Sequence, residues 1–276
     1  MRLNEVRFAV DLSVVLGLLA FGHWLIGQGR YPLAVPAGQL LCGFLMVGTY
    51  VAAHELVHHR LFGRRRLSEL VGVLLLIPTM SNFFAYRRGH MIHHRHTATR
   101  EDPAYLRHAE LPWLFRWVAY LFHYLHWSYA LVIPLELHEM VRCRDRRAWR
   151  ECLPWSSMIM LGLFAVLDYG IWFDHVLVPY LTFCLFQTLK NSAEHDYLDG
   201  EAGALAATRS LRASALVRRL WFNCMLHKEH HLAPGVPYHL LEGVTPRCDD
   251  TPGERIGYLA FALQRWRKGP PEPMFI

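Results

Sequence analysis

Four long apolar runs constrain the fold of this chain more than any other feature. They lie at about residues 8–27, 33–53, 153–168 and 172–190. A helix that crosses a bilayer needs about 20 mostly apolar residues, so the first two runs each predict one transmembrane helix. The last two predict a helical hairpin if the chain turns near residues 168–175. The alternative is a large soluble protein in which these helices form a buried core.

The distribution of charge favours the membrane. The sequence has 29 Lys and Arg against 23 Asp and Glu, a formal net charge of +6. If the N-terminus is cytoplasmic, the outer loops are about residues 27–32 and 168–175, and Arg30 is the only basic residue in them. This bias follows the positive-inside rule, and contact with anionic headgroups accounts for the basic charge without nucleic acid. We expect a multi-pass membrane protein with both termini and the functional site on the cytoplasmic side.

Two further apolar stretches, residues 67–84 and 111–137, are interpreted as interfacial or re-entrant. A single crossing there would place the histidine groups described below on opposite faces of the membrane. The prediction is therefore an all-α integral membrane fold with about four transmembrane helices and interfacial helices. Residues 54–152 and 191–260 form a cytoplasmic histidine-rich cap, and residues 1–276 form a single domain. Asp11 and His23 are polar residues inside the first run, and the sequence assigns them no role.

Histidines occur in four groups at the ends of these runs or between them. The groups are His54–His59, His90–His94, Asn191–His195 and His227–His231. On a helix, residues three or four apart share a face, so each multi-histidine group can offer several imidazoles to one point. Neutral imidazole binds Fe, Zn, Cu and Ni. The predicted ligands of two metal ions are His54, His58, His90, His93, His94, His195, His227, His230 and His231, with His59 as an alternate.

Carboxylates and amides next to the histidines are candidates for supporting or catalytic roles. Side chains that hydrogen-bond to a metal-binding imidazole fix its orientation. Glu55 and Glu194 are the candidate catalytic carboxylates, and Asn191, Asp196 and Asn223 are candidates for holding the rings in place. Asp102 precedes a proline and is interpreted as a turn former.

Two other functions remain open at this point. Residues 54–58 read His-Glu-Leu-Val-His, the H-E-x-x-H pattern of zinc metalloproteases, in which the glutamate is the general base. A zinc protease needs three protein ligands and would leave the other two H-x-x-H-H groups unused. A metal-binding or sensor protein without catalytic activity would keep the same ligands.

The histidine groups resemble those of the membrane fatty acid desaturase and alkane hydroxylase superfamily of non-haem di-iron enzymes. The resemblance rests on H-x-x-x-H-H at residues 54–59 and H-x-x-H-H at residues 90–94 and 227–231, and it covers about residues 8–245. Residues 191–195 are similar to a segment that adds a further iron ligand in this superfamily. The resemblance implies two iron ions that use O₂ and two electrons to attack an unactivated C–H bond of a lipid or fatty-acyl substrate.

The motifs are divided between two branches of that superfamily. Glu55, residues 98–103 and the Glu194–His195 pair are similar to alkane hydroxylases. The second histidine group and residues 230–237 look more like acyl-lipid desaturases, and the third group departs from the motif of carotenoid ketolases. The balance favours a desaturase, with a hydroxylase or monooxygenase as the alternative.

The sequence contains no haem-attachment, ferredoxin or dinucleotide motif. The resemblance therefore implies a separate electron donor, similar to a ferredoxin, cytochrome b5 or rubredoxin. An acidic donor would suit the basic cytoplasmic face.

Overall fold

The structure is a computed structural model that describes residues 2–97, 99, 102, 155–198, 203–248 and 255–268. Within these ranges the regular secondary structure is helical apart from two short parallel strands, β1 (Leu211–Arg212) and β2 (Ile256–Gly257). The predicted all-α character is therefore confirmed for the part described. The predicted interfacial stretch at residues 111–137 lies outside it.

Ten helices are described. They are α1 (Glu5–Ile26), α2 (Ala34–His58), α3 (Arg65–Leu76), α4 (Phe83–His96), α5 (Trp155–Val166), α6 (Tyr169–Trp172), α7 (Val178–His195), α8 (Ala215–Leu220), α9 (His227–Leu232) and α10 (Tyr258–Lys268). A π-helical turn (Phe173–Leu177) joins α6 to α7, so that Tyr169–His195 is one helical segment. Two 3₁₀ segments complete the list, Leu61–Gly63 and Tyr238–Arg247.

Three described helical segments are long and apolar enough to cross a membrane. They are Glu5–Ile26, Ala34–His58 and Tyr169–His195, and they correspond to the first, second and fourth predicted runs. The third run contains α5, whose 12 residues fall short of a span, although residues 151–154 are outside the description. A fourth span and the sidedness of the protein stay predictions. The stretch at residues 67–84 is divided between α3, which is 12 residues long, and the start of α4, and its interfacial or re-entrant position stays a prediction.

Helix α2 is the centre of the bundle. In the most apolar 18-residue stretch of α2, 72% of the residues are buried. The corresponding fraction is 22% for α1 and for the Tyr169–His195 segment. Glycines allow its neighbours to approach closely, as small residues do in membrane helices. A Cβ atom added to Gly43 would lie 2.5 Å from Cβ of Thr182 on α7, and one added to Gly38 would lie 2.6 Å from the carbonyl oxygen of Gly22 on α1. This packing holds the first half of α2 closely against α1 and the start of α7.

Asp11 ties α1 to the chain that surrounds the last histidine group. Its carboxylate accepts hydrogen bonds from Arg219 Nε and from the Tyr238 hydroxyl, both at 2.8 Å. A buried charge inside an apolar helix requires such partners. Asp11 therefore connects the first helix to the segment that covers the metal-binding region.

The polar residues near the other end of α1 pair with the π-helical turn. His23 Nδ1 lies 3.2 Å from His175 Nδ1, and Gln39 Nε2 donates to the Asp174 carboxylate at 3.1 Å. These pairs join α1 and α2 to the start of the third long helical segment. In the described part of the chain, Cys42, Cys184, Cys224 and Cys248 are free and buried.

Candidate metal centre

Nine histidines from four helices form two clusters. The five-histidine cluster contains His54 and His58 of α2, His90 and His94 of α4, and His230 of α9. The four-histidine cluster contains His93 of α4, His195 of α7, and His227 and His231 of α9. Within each cluster, one ring nitrogen from every histidine lies within 4.8 Å of the others, so either cluster could hold a metal ion. The structure thus brings together all nine histidines that the sequence predicts as ligands.

Each H-x-x-H-H group offers two imidazoles to one cluster and its third imidazole to the other. His90 and His94 face the five-histidine cluster, whereas His93 faces the other. Successive residues of a helix are rotated by about 100° around its axis. The side chains of His90 and His94 therefore differ in direction by about 40°, whereas His93 differs from either by about 60° or more. Since α4 and α9 each lie between the clusters, this difference divides their histidines. The clusters are therefore adjacent, with the ring centroids of His94 and His231 4.5 Å apart.

The Nε2 atoms of the five-histidine cluster point at one another. His90 Nε2 lies 2.9 Å from His54 Nε2, 2.9 Å from His58 Nε2 and 2.8 Å from His94 Nε2. His230 Nε2 lies 3.1 Å from His54 Nε2. Ring nitrogens bound to one metal ion at about 2.1 Å and at right angles are about 3 Å apart, so the spacing suits a shared ion.

The four-histidine cluster has the same arrangement. His227 Nε2 lies 2.9 Å from His195 Nε2 and 3.2 Å from His231 Nε2. His93 Nε2 lies 3.2 Å from His231 Nε2. Four imidazole nitrogens therefore surround a second point beside the first.

Burial favours the neutral form of the imidazoles of His90, His94, His227, His230 and His231. Burial and the neighbouring His93 lower the pKa of His94 to about 4. Burial and the surrounding histidines hold the pKa values of His90, His227, His230 and His231 well below their ordinary value. At neutral pH these rings are uncharged, which is the form that binds metals.

Several rings are held through Nδ1, the nitrogen that faces away from the cluster. His93 Nδ1 donates to the Asp102 carboxylate at 2.9 Å, and His195 Nδ1 donates to the carbonyl oxygen of Ala207 at 3.1 Å. Such bonds place the proton on Nδ1 and leave Nε2 as the acceptor. The interpretation of Asp102 as a turn former missed this contact. An acidic residue shortly after the second histidine group was the signal for it.

The two candidate catalytic carboxylates occupy different positions. The Glu55 carboxylate accepts the Tyr238 backbone N–H at 3.1 Å and lies 3.7 Å from His54 Nδ1. It is therefore behind His54, on the side away from the cluster. The buried Glu194 carboxylate pairs with Lys190 Nζ at 2.8 Å and lies 3.7 Å from His227 Nε2, the nitrogen that faces the four-histidine cluster.

The remaining predicted residues lie around the clusters. Asn223 Nδ2 donates to the Tyr238 carbonyl at 3.0 Å. Asp196 is the C-cap residue of α7, and its carboxylate lies 4.0 Å from Arg265 Nε. Burial raises the pKa of Asp196 to about 6. Asn191 is on α7, one turn before His195.

The alternate ligand His59 belongs to neither cluster. Its Nε2 lies 4.0 Å from the Glu55 carboxylate. Burial is the largest cause that lowers the pKa of His59 to about 4.

Glu229 anchors α9, and sequence reasoning missed it. Its fully buried carboxylate accepts hydrogen bonds from the Thr245 hydroxyl at 2.8 Å, from Arg255 Nη2 at 2.6 Å and from the Ser210 hydroxyl. A buried carboxylate needs such a set of donors. The signal was its place inside the last H-x-x-H-H group, where it lies between ligand candidates.

Comparison with known proteins gives the family. The family described as "Fatty acid desaturase" matches residues 31–261. The chain belongs to the fatty acid desaturase family. The resemblance of its histidine groups to the membrane desaturases and hydroxylases is confirmed.

Relatives in this family are named for two kinds of reaction. A beta-carotene ketolase from a Paracoccus species is 26% identical over 246 residues, covering 86% of this chain and 90% of the relative. An sn-1 oleoyl-lipid 12-desaturase from Arthrospira platensis is 23% identical over 280 residues, covering 91% of this chain and 78% of the relative. Ketolases are thus among the relatives, and the expected departure from their motif in the third histidine group does not exclude them. The chain is an oxidoreductase of this family, with histidine clusters that could hold metal.

Proposed function

We propose that this protein is a membrane-bound, non-haem di-iron oxidoreductase that uses O₂ and two electrons to desaturate an acyl-lipid or fatty-acid-like substrate. The observation that carries the proposal is the pair of adjacent clusters, one of five and one of four imidazoles, in a chain of the desaturase family. The nine clustered histidines are the proposed ligands. Three helical segments are long and apolar enough to cross a membrane, which supports a location in the membrane and an apolar substrate.

The chemistry of the donor set supports iron. Both clusters consist of imidazole nitrogens, which suit iron, zinc, copper and nickel. Structural zinc takes four ligands, and the five imidazoles of the cluster that contains His90 exceed that number. Iron bound at these clusters would supply the O₂-dependent oxidation of an unactivated C–H bond. The protein's own part is to hold the imidazoles neutral and correctly oriented, as the Asp102 carboxylate does for His93.

The proposed reaction balances with an external donor. Desaturation removes two hydrogens from adjacent carbons. O₂ accepts two electrons from the substrate and two from the donor, and with the two hydrogens and two protons from the solvent it forms two water molecules. We propose that a separate ferredoxin-, rubredoxin- or cytochrome b5-like protein delivers the donor's two electrons. Oxygen insertion is the second candidate, supported by the beta-carotene ketolase relative. In that reaction one oxygen atom enters the substrate, and two electrons and two protons reduce the other to water.

A zinc protease has less support. Its general base would be Glu55, whose carboxylate lies behind His54 and accepts a backbone N–H from Tyr238. His54 and His58 also share their cluster with three further histidines. A glutamate in this position supports a ring, whereas a protease requires it beside the metal-bound water.

Metal analysis and lipid analysis together test the proposal. Protein from iron-replete cells should contain about two Fe per chain, and lipid extracts of expressing cells should contain a lipid that has lost two hydrogens. A lipid that has gained one oxygen atom would instead establish the hydroxylase. The variant His227→Ala should lose iron and product, and His96→Ala, outside both clusters, should retain them. A single zinc ion that survives His227→Ala would overturn the di-iron proposal.

A further inference from the structure

A basic pocket lies beside the five-histidine cluster, between the end of α2, α3 and α4. Its cavity volume is about 470 Å³, and His58 forms part of its wall. Its charged lining consists of Arg60, Arg65, Arg87, Arg88, Arg95 and Glu69, and we call it the arginine pocket. Among the described lining residues, five guanidinium groups thus accompany one carboxylate, a balance of charge that attracts anions.

Glu69 organises part of this lining without cancelling its charge. Its carboxylate accepts Arg65 Nε and Arg87 Nη1, each at 2.8 Å. Arg60 and Arg95, at the ends of α2 and α4, are both exposed. A guanidinium group offers paired N–H donors that match the oxygens of phosphate. The pocket therefore has the donors for a phosphate group.

The surroundings of the pocket are apolar, as a lipid requires. Leu56, Val57, Phe84, Met91 and Ile92 also line it. Helix α3 contributes Arg65, Ser68 and Glu69 to the pocket, and on its outer face Leu70 is 57% exposed and Leu74 is 55% exposed. A short helix with arginines near one end and exposed leucines is typical of a segment lying at the membrane surface. Acyl chains attached to a bound phosphate could lie against Phe84, Met91 and Ile92 in the pocket wall.

We propose that the arginine pocket binds the phosphate of an anionic phospholipid, whose acyl chains lie against the apolar wall residues Phe84, Met91 and Ile92. The site is separate from the two histidine clusters and shares only His58 with them. It does not depend on which metal those clusters hold or on which reaction they catalyse. A free phosphate ion has the same headgroup chemistry but gains nothing from the apolar wall, so the lipid is the expected occupant.

Lipid binding to the purified full-length protein in a neutral detergent tests this proposal. The probes are phosphatidylglycerol, phosphatidylcholine and inorganic phosphate, with binding followed by native mass spectrometry. We expect saturable binding of about one phosphatidylglycerol per chain, and at least about tenfold weaker binding of the other two probes. The double variant Arg60→Gln/Arg95→Gln should bind phosphatidylglycerol about tenfold more weakly. The matched control, Arg212→Gln/Arg267→Gln, removes two exposed positive charges outside the pocket and should bind as the wild type does.

Because Arg95 is next to His94, the single variant Arg60→Gln provides a second test with the histidine group intact. It should weaken phosphatidylglycerol binding about threefold while metal content stays at the wild-type level. Equal weakening in the pocket and control variants would overturn the proposal, because binding would then be general surface attraction. Inorganic phosphate that competes as strongly as the lipid would overturn the assignment to a phospholipid.

Discussion

Individual histidines of the metal centre are held from two sides. Nε2 faces a cluster, and on some rings Nδ1 bonds to a fixed acceptor. The Asp102 carboxylate is the charged example, and the Ala207 carbonyl is the neutral one. These acceptors stabilise the tautomer that carries its proton on Nδ1 and leaves Nε2 able to bind metal. They therefore contribute to metal affinity without contacting the metal.

Replacement of Asp102 tests this role. Asp102→Asn removes the charge that holds the Nδ1 proton of His93, so the metal affinity of the four-histidine cluster should fall about 10–100-fold. Competition with a chelator measures the change. The control is Asp174→Asn, whose carboxylate bonds to Gln39 on the far end of the bundle. Unchanged affinity in Asp102→Asn would show that the contact with His93 does not orient the ring for metal.

His90 is the best single test of the five-histidine cluster, because its Nε2 lies within 3 Å of three other ring nitrogens. His90→Ala should lower the iron content from about two to about one per chain and abolish product formation. His96→Ala, on the same helix but outside both clusters, should leave both unchanged. Iron content that stays at the wild-type level in His90→Ala would exclude His90 as a ligand.

Among the elements, α9 depends most on its surroundings. It has six residues and provides three of the nine clustered histidines. A helix this short is marginal by itself, because nucleation costs more free energy than so few hydrogen bonds return. The buried Glu229 carboxylate and its three donors hold it in place.

Glu229→Ala should therefore loosen α9 and reduce metal binding at both clusters. Loss of the buried acceptor leaves its donors unsatisfied, and we expect about 2–4 kcal/mol of destabilisation. Thermal unfolding and metal content measure the two effects. Glu242→Ala, which removes an exposed carboxylate paired with Arg218, is the control and should change both by little. Equal effects of the two variants would contradict a special role for Glu229.

The contact between α2 and α7 can be tested at Gly43. A Cβ atom there would lie 2.5 Å from the Thr182 Cβ, so Gly43→Ala should separate the helices and cost about 1–3 kcal/mol. The control is Gly17→Ala on α1, where nothing lies within 4 Å of an added Cβ. The control should be neutral or slightly stabilising, since alanine favours a helix. Thermal unfolding of the two variants in the same detergent compares them.

Across the whole molecule, metal would act as a link between distant parts of the chain. The clustered histidines come from α2, α4, α7 and α9, which span residues 34–232. A ligand that binds only the folded state stabilises it, by about 4 kcal/mol at a concentration a thousandfold above its dissociation constant. The metal centre and the fold should therefore depend on each other.

Removal of metal with a chelator should lower the melting temperature of the wild-type protein, and added Fe(II) should restore it. The double variant His90→Ala/His227→Ala loses a ligand from each cluster, so its melting temperature should be lower at the start and should not respond to the chelator. Differential scanning fluorimetry measures both. A wild-type melting temperature that does not change on chelation would contradict a structural contribution of the metal.

The amino-acid sequence by itself determined the family, the apolar helices and the identity of the nine clustered histidines. These properties are local, because the length of an apolar run and the spacing of histidines within one group belong to consecutive residues. The i, i+4 pairs, such as His54 with His58 and His90 with His94, indeed share a cluster.

The tertiary structure alone decided how those histidines divide into five and four. It also placed Asp102 behind His93, joined Asp11 to Tyr238 and assembled the arginine pocket. Each of these depends on how helices far apart in sequence are rotated and packed against each other. A rotation of a fraction of a helical turn would send the same side chain into the other cluster or away from both, and the spacing of residues along one helix carries no information about that rotation.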